Sequence, residues 1–368
     1  MPWTGELLQA VRAAAVCLLA GLLVLSVAGR ARAAGPGGGE AQTAAAFGTG
    51  QRMVVPLGRA VGIKMFSDGV LVVGLSEITG EAGDCAPAKE CGLRQGDIIT
   101  HINDTQVDTI EQVQSVLQDL EGDRMSIRAI RGEKQMQLTA QAVKCSADGA
   151  YKLGAWIRDS MAGIGTLTFY DPETGAFGAL GHGINDVDTA LLMPLESGSI
   201  MYATVADVKK GESGSPGELH GAFQVDRDMG ELNANTGSGV FGTLTDDSLT
   251  DGLQPVPVAA RREVKLGSAT ILSNIAGDTV EEYAVEITKV YPGSAGDTRE
   301  LMIKVTDPKL LEATGGIVQG MSGSPILQNG KLVGAVTHVL VNNPTEGYGI
   351  LAETMLEQTP RTMEAKVS

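Results

Sequence analysis

Short apolar runs punctuated by glycine dominate the chain. Met125-Ser126-Ile127-Arg128-Ala129-Ile130 and Met136-Gln137-Leu138-Thr139 alternate apolar with polar side chains. That period of two predicts paired, half-buried strands. Val61–Met65 reads as a loop and strand, and Gly69–Val73 as a strand. Ala155–Ile157, Gly165–Tyr170 and Phe177–Leu180 are further short strands. So are Ile200–Val208, Gly239–Leu244, Glu263–Ile271, Glu281–Val290 and Arg299–Thr306. Ile110, Val113, Val116, Leu117 and Leu120 break this rhythm and recur at helical spacing. They predict a helix over Thr109–Leu120. Ile326–Val336 reads as a hairpin closed by Asn329-Gly330, a pair suited to a tight two-residue turn. About 220 residues of mostly antiparallel strands from Tyr151 onward suit two small barrels with a cleft between them.

Ala13–Ala28 is an apolar run flanked by Arg12, Arg30 and Arg32. Sixteen residues is short for a membrane span and suits the core of a signal peptide. A signal peptide and an uncleaved anchor both remain open, and both place the rest of the chain outside the cytoplasm. Ala34–Gly50 is rich in Gly and Ala and reads as a flexible linker.

Composition narrows the function classes. Twenty-eight basic against 44 acidic residues give a net charge of -16, which leaves no basic face for nucleic acid. Forty-nine glycines with 4% aromatics favour turn-rich β structure. Cys17, Cys85, Cys91 and Cys145 form no Cys-x-x-Cys pair, so nothing points to a metal or a redox centre. A disulfide between Cys85 and Cys91 and two free thiols are both open readings.

The chemistry concentrates in Gly320-Met321-Ser322-Gly323-Ser324-Pro325. A serine at the apex of a glycine-bounded turn is exposed, and two backbone N–H groups can face one point there. A nucleophile with an oxyanion hole needs that arrangement. Gly211-Glu212-Ser213-Gly214-Ser215-Pro216 repeats the string but lacks flanking apolar strands. Rigid support therefore favours Ser322 over Ser213, with Ser324 a lesser contender in the same turn. Four histidines compete for the role of base. His101 lies on a core strand, His338 on an apolar strand and His220 beside a glycine-rich loop. His182 stands between Gly181 and Gly183 with an unobstructed ring, and it leads.

The turn and hairpin resemble the Gly-x-Ser-Gly-Gly-Pro region of chymotrypsin-like serine proteases, with Ser324 at the second glycine. The chain beyond its N-terminal segment resembles the sporulation stage IV protein B (SpoIVB) peptidases, PDZ-containing serine proteases of spore-forming bacteria. The Cys91-Gly92-Leu93-Arg94-Gln95-Gly96-Asp97-Ile98 string carries the PDZ part of the likeness. The resemblance implies a mainly β chain in four parts. Residues 1–34 are a signal peptide or anchor and 35–54 a linker. Residues 55–145 form a PDZ domain, and 150–368 a chymotrypsin-like double β-barrel. Val61, Gly62 and Ile63 match the PDZ loop that takes a peptide's carboxylate, although a groove filled by the protein's own chain is the competing reading. Asp307, fifteen residues before Ser322, matches the family's acidic position and would orient His182. Asp186 and Asp188 are the alternatives. By analogy with the turn, the oxyanion hole uses the N–H groups of Gly320 and Ser322. No cofactor is implied. The expected activity is an exported, membrane-associated endopeptidase. It would cut itself and then a membrane-bound regulator in the space between the forespore membranes. That cut would release an intramembrane protease and so activate a late mother-cell sigma factor. An inhibitor protein is a further partner of this kind of enzyme. A silent PDZ scaffold for a membrane protein is the rival reading.

Overall fold

The computed structural model describes residues 51–292 and 298–359. The apolar run at 13–28 lies outside them. The chain opens with β1 (Met53–Pro56) and β2 (Ala60–Leu75). β2 is one strand of sixteen residues, and two halves of it serve two different folds.

The second half belongs to the PDZ fold. Val70 and Leu71 pair with Ile99 and Ile98 of β3 (Ile98–Ile102). After β3 comes α1 (Ile110–Gln118). Thr109 caps it, accepting from the N–H of Gln112, whose side chain returns the bond to the Thr109 N–H. Such a reciprocal cap fixes where the helix starts. β4 (Arg124–Arg131) and β5 (Lys134–Gln141) then extend the sheet as an antiparallel pair. Met125, Ile127 and Ala129 alternate into the core.

The first half of β2 belongs to a barrel. β6 (Ala155–Asp171), β7 (Ala176–Ala179), β8 (Ser197–Lys209), β9 (Glu218–Thr236) and β10 (Gly239–Leu244) complete it. The ring runs β2-β6-β7-β10-β9-β8 and closes when β8 pairs with β2. A second ring of six strands follows. It contains β11 (Gly267–Ala276), β12 (Thr279–Val290) and β13 (Leu301–Val305). After α2 (Pro308–Thr314) come β14 (Pro325–Gln328), β15 (Lys331–Leu340) and β16 (Asn343–Leu351). It is a closed barrel in the order β11-β12-β13-β16-β15-β14. β12 shows why: Tyr283, Val285 and Ile287 point inward, while Glu282, Ala284 and Glu286 stay outside. Asn329 and Gly330 turn the β14–β15 hairpin with φ of 53° and 72°, the two left-handed positions such a turn requires.

Phe169 and Phe241 of the first barrel pack against Leu332 and Ile350 of the second. The last helix among the described residues, α3 (Ala352–Gln358), closes this seam with Met355 and Leu356. Each such side chain, once buried, contributes about 1.5–3 kcal/mol.

Two expectations need correction. The PDZ fold does not precede the barrels, because β1 and the first half of β2 already belong to the first one. It is an insertion between β2 and β6. Val61, Gly62 and Ile63 are consequently not a peptide-binding loop. They pair with Gly165, Ile164 and Gly163 of β6 on one side and with Tyr202, Met201 and Ile200 of β8 on the other. Val61 and Ile63 are core residues. A Cβ added at Gly62 would lie 2.7 Å from the Phe223 ring. Overpacking of this kind costs about 1–3 kcal/mol. Gly62→Val is therefore expected to lower the melting temperature and the reactivity of Ser322 together. A thermal melt beside an active-site titration checks this. An unchanged melt with lost peptide binding would return the residue to a loop role.

Candidate active site

Ser322 sits between the second barrel's α2 and β14, in a turn built on two left-handed glycines, Gly320 (φ 97°) and Gly323 (φ 98°). A Cβ at Gly323 would lie 2.1 Å from the Thr166 carbonyl oxygen, so only glycine fits there. The turn is tied down from both barrels. The N–H of Met321 donates to Val318 O, that of Gly323 to Val336 O and that of Ser324 to Met321 O. Thr166 on β6 donates its hydroxyl to Gly320 O at 2.7 Å and its N–H to Ser322 O at 3.1 Å. Among the described residues, the N–H groups of Gly320 and Ser322 have no partner.

His182 comes from the first barrel. Leu180 and Gly181 after β7 both adopt left-handed backbone, φ 67° and 70°, which turns the chain sharply before the histidine. A left-handed leucine is a strained position and persists only where its surroundings hold it. The His182 Nδ1–H is positioned to donate to Gly183 O at 2.9 Å. That bond would leave Nε2 as the free acceptor. Burial pushes the pKa of His182 below its usual 6.5, opposed in part by the Gly183 carbonyl. The ring packs on His338, with centroids 5.0 Å apart. Burial, then His182, then Arg299 push His338 down to about 4.

His182, Gly320 and Ser322 line one cleft of about 290 Å³, with Ile164 and Leu180 among its apolar walls. The Ser322 hydroxyl donates to Thr337 O at 2.7 Å. A serine, a neutral imidazole and two unpaired N–H groups on one apolar cleft can carry out acyl transfer. A family model, SpoIVB peptidase S55, matches residues 149–356, more than half of the chain. The chain belongs to the SpoIVB peptidase S55 family. A PDZ model matches 84–131. The S55 chain is a serine peptidase. Curated proteins yield no match. Solved structures similar to parts of the chain include these two. One is an inactive serine-to-alanine mutant of Rv3671c from M. tuberculosis (TM-score 0.30, 16% identity, 56% of this chain and 84% of that one). The other is the PDZ domain of an SdrC-like protein from Listeria monocytogenes (TM-score 0.21, 22% identity, 24% of this chain and 87% of that one).

The other candidates of this S55 peptidase lie elsewhere. Ser324 is fully buried and donates to the Ser273 hydroxyl inside the second barrel. Ser213 is exposed and donates to Asn342 O. His220 is exposed on β9, and His101 lies on β3 beside the Thr100 hydroxyl. Cys85 and Cys91 are separate free thiols.

Asp307 is the N-cap of α2. Its carboxylate accepts from the N–H groups of Lys309, Leu310 and Ala284. Burial would raise its pKa, but these backbone donors and the Lys309 ammonium outweigh it and hold the group below the usual range. The hydrogen bonds of the Asp307 carboxylate all come from backbone N–H groups of the second barrel. Asp186 and Asp188 are both engaged by Arg158. Sequence reasoning missed the His338 contact, the Gly183 carbonyl and Arg158. A histidine in the apolar second strand of the nucleophile hairpin was the available hint for His338.

Proposed function

We propose that this S55 peptidase is an exported endopeptidase of sporulation signalling, with Ser322 as nucleophile and His182 as general base. Attack requires the Ser322 hydroxyl to exchange the Thr337 carbonyl for His182 Nε2. The imidazole takes the proton as Oγ adds to the peptide carbonyl. The developing oxyanion meets the N–H groups of Gly320 and Ser322. His182 then passes its proton to the leaving amine, and water releases the acyl group by the same route. The Gly183 carbonyl orients the ring in the way a carboxylate does in a triad. The observation that carries this reading is the meeting of Ser322, His182 and two unpaired N–H groups on one cleft.

Asp307 acts at one remove in this reading. It caps α2, which leads through Gly315–Gln319 into the nucleophile turn. The substrates in this proposal are the chain's own N-terminal segment and then a membrane-bound sporulation regulator. Cleavage of the regulator frees an intramembrane protease, which activates a late mother-cell sigma factor. An inhibitor protein that holds the enzyme back fits the same scheme. The apolar run at 13–28 supports export into the space between the forespore membranes, with anchoring before cleavage. Mass spectrometry of the full chain tests self-cleavage. The wild type is expected to lose an N-terminal fragment that the Ser322→Ala chain retains. An identical pattern in both would remove self-cleavage from the scheme.

The histidines set the pH dependence. His182 resists protonation, so its neutral form persists at pH 6.5 and somewhat below. The rate of Ser322 acylation is expected to fall only below pH 6.5. An acid limb centred above 6.5 would contradict this. The sign for stability follows. Both histidines bind protons more readily unfolded than folded, so stability is lost as pH drops from 6.5 toward 4.

A further inference from the structure

β6 begins inside the PDZ fold, away from the serine it later approaches. Its residues Ala155, Trp156, Ile157 and Arg158 pair antiparallel with Leu75, Gly74, Val72 and Leu71 of β2. β2 already pairs with β3 through Val70 and Leu71. The remaining edge of β2 is therefore filled by β6. Ala155 and Ile157 pack on the PDZ core beside Val113 and Val116 of α1, while Trp156 is 66% exposed. The first N–H of α1, from Ile110, donates to Asp159 Oδ2 at 2.9 Å. An extended segment laid antiparallel on a sheet edge beside a helix is the way a PDZ domain takes a peptide. Here residues 155–158 are themselves that edge strand, paired with β2 on one side and, among the described residues, with no strand on the other.

The segment is continuous with the catalytic cleft. Three residues further on, Ala162, Gly163 and Ile164 form part of the cleft wall. Thr166 then ties down the Ser322 turn. Within the segment, Arg158 forks to Asp186 and Asp188, the latter at 2.8 Å. Both carboxylates lie in the loop that starts at His182. Asp186 is buried and also accepts from the N–H groups of Asp188 and Thr189. Gln95, in the PDZ fold, donates to Asp188 O at 3.0 Å.

We propose that segment 155–159, the edge strand of the PDZ sheet, is a positioning element of the active site, with Arg158 holding the histidine loop through Asp186 and Asp188. The proposal rests on the reading of His182 and Ser322 as base and nucleophile. It gives the PDZ fold an internal role.

Gly74 and Trp156 face each other across the β2–β6 pair. A Cβ added at Gly74 would lie 3.7 Å from that of Trp156. Disulfides span about 3.5–4.5 Å between Cβ atoms. The test uses the full chain as wild type, as G74C/W156C in oxidised and reduced forms, and as Arg158→Ala and Arg158→Lys. The wild type under the same redox treatment controls for the native cysteines. The readout is the rate at which a fluorophosphonate labels Ser322, with melting temperature beside it. The oxidised lock is expected to label at the wild-type rate, because it fixes the β2–β6 pairing. Arg158→Ala is expected to label about tenfold more slowly or worse, as a displaced catalytic group does. Arg158→Lys should recover part of that loss. If Arg158→Ala shows no melting transition, Asp188→Asn takes its place, and slower labelling is again expected. A locked chain that labels only after reduction would overturn the proposal, since the β2–β6 pair would then have to open. Wild-type labelling in Arg158→Ala, or in its substitute, would also overturn it. A wild-type chain with no label on Ser322 would remove the catalytic reading itself, a failure distinct from the other two.

Discussion

Ser322→Ala is expected to abolish acylation and self-cleavage while leaving the melting temperature nearly unchanged. The hydroxyl is half-buried and makes one bond within the protein, to Thr337 O at 2.7 Å. Losing one hydrogen bond of that kind costs about 1 kcal/mol. Losing the nucleophile of a serine–histidine unit costs roughly 10⁴- to 10⁶-fold in rate. Ser213→Ala should leave the rate near wild type, because Ser213 is exposed and bonds to Asn342 away from the cleft. Ser324→Ala should disturb packing more than rate, because its hydroxyl bonds to Ser273 inside the second barrel. Peptide hydrolysis and thermal melts on the three variants check this. An active Ser322→Ala chain would show that the wrong serine has been assigned.

His182→Ala is the second large effect, with a loss of several orders of magnitude from the same unit. Asp307 provides the informative contrast. Its carboxylate caps α2, and removal of such a cap costs about 0.5–2 kcal/mol. The helix runs into the segment that ends at Gly320, so Asp307→Ala should lose activity along with stability. Asn is as good a cap as Asp. Asp307→Asn should therefore restore the melting temperature and much of the rate. If Asp307→Asn melts like the wild type yet is as inactive as His182→Ala, the negative charge itself acts on the histidine. Asp307 would then be the triad acid. Paired melts and kinetics on the three variants decide it.

Local signals in the sequence were strong where one face of an element is buried. The apolar spacing from Ile110 marked a helix over Thr109–Leu120, and one forms at Ile110–Gln118. The Asn329-Gly330 pair marked the hairpin behind Ser322. Glu281–Val290 was legible as a strand and forms within Thr279–Val290 of the second barrel. The PDZ boundary was hidden for a physical reason. β2 is buried along most of its length and serves two folds, so nothing in its pattern changes where one ends and the other begins. Asp307 precedes a proline at the start of a helix, a pattern that suits a cap as well as a catalytic acid. Arg158 sits in a strand that reads as ordinary. Its value comes from Asp186 and Asp188, about thirty residues later, and only the fold brings them together.

The most direct measurement is the site of covalent labelling. The full chain is treated with a fluorophosphonate, digested and mapped by mass spectrometry. The account predicts one adduct, on Ser322, that is lost when His182 is replaced by alanine. An adduct on Ser213, or labelling of Ser322 that is indifferent to His182, would contradict it.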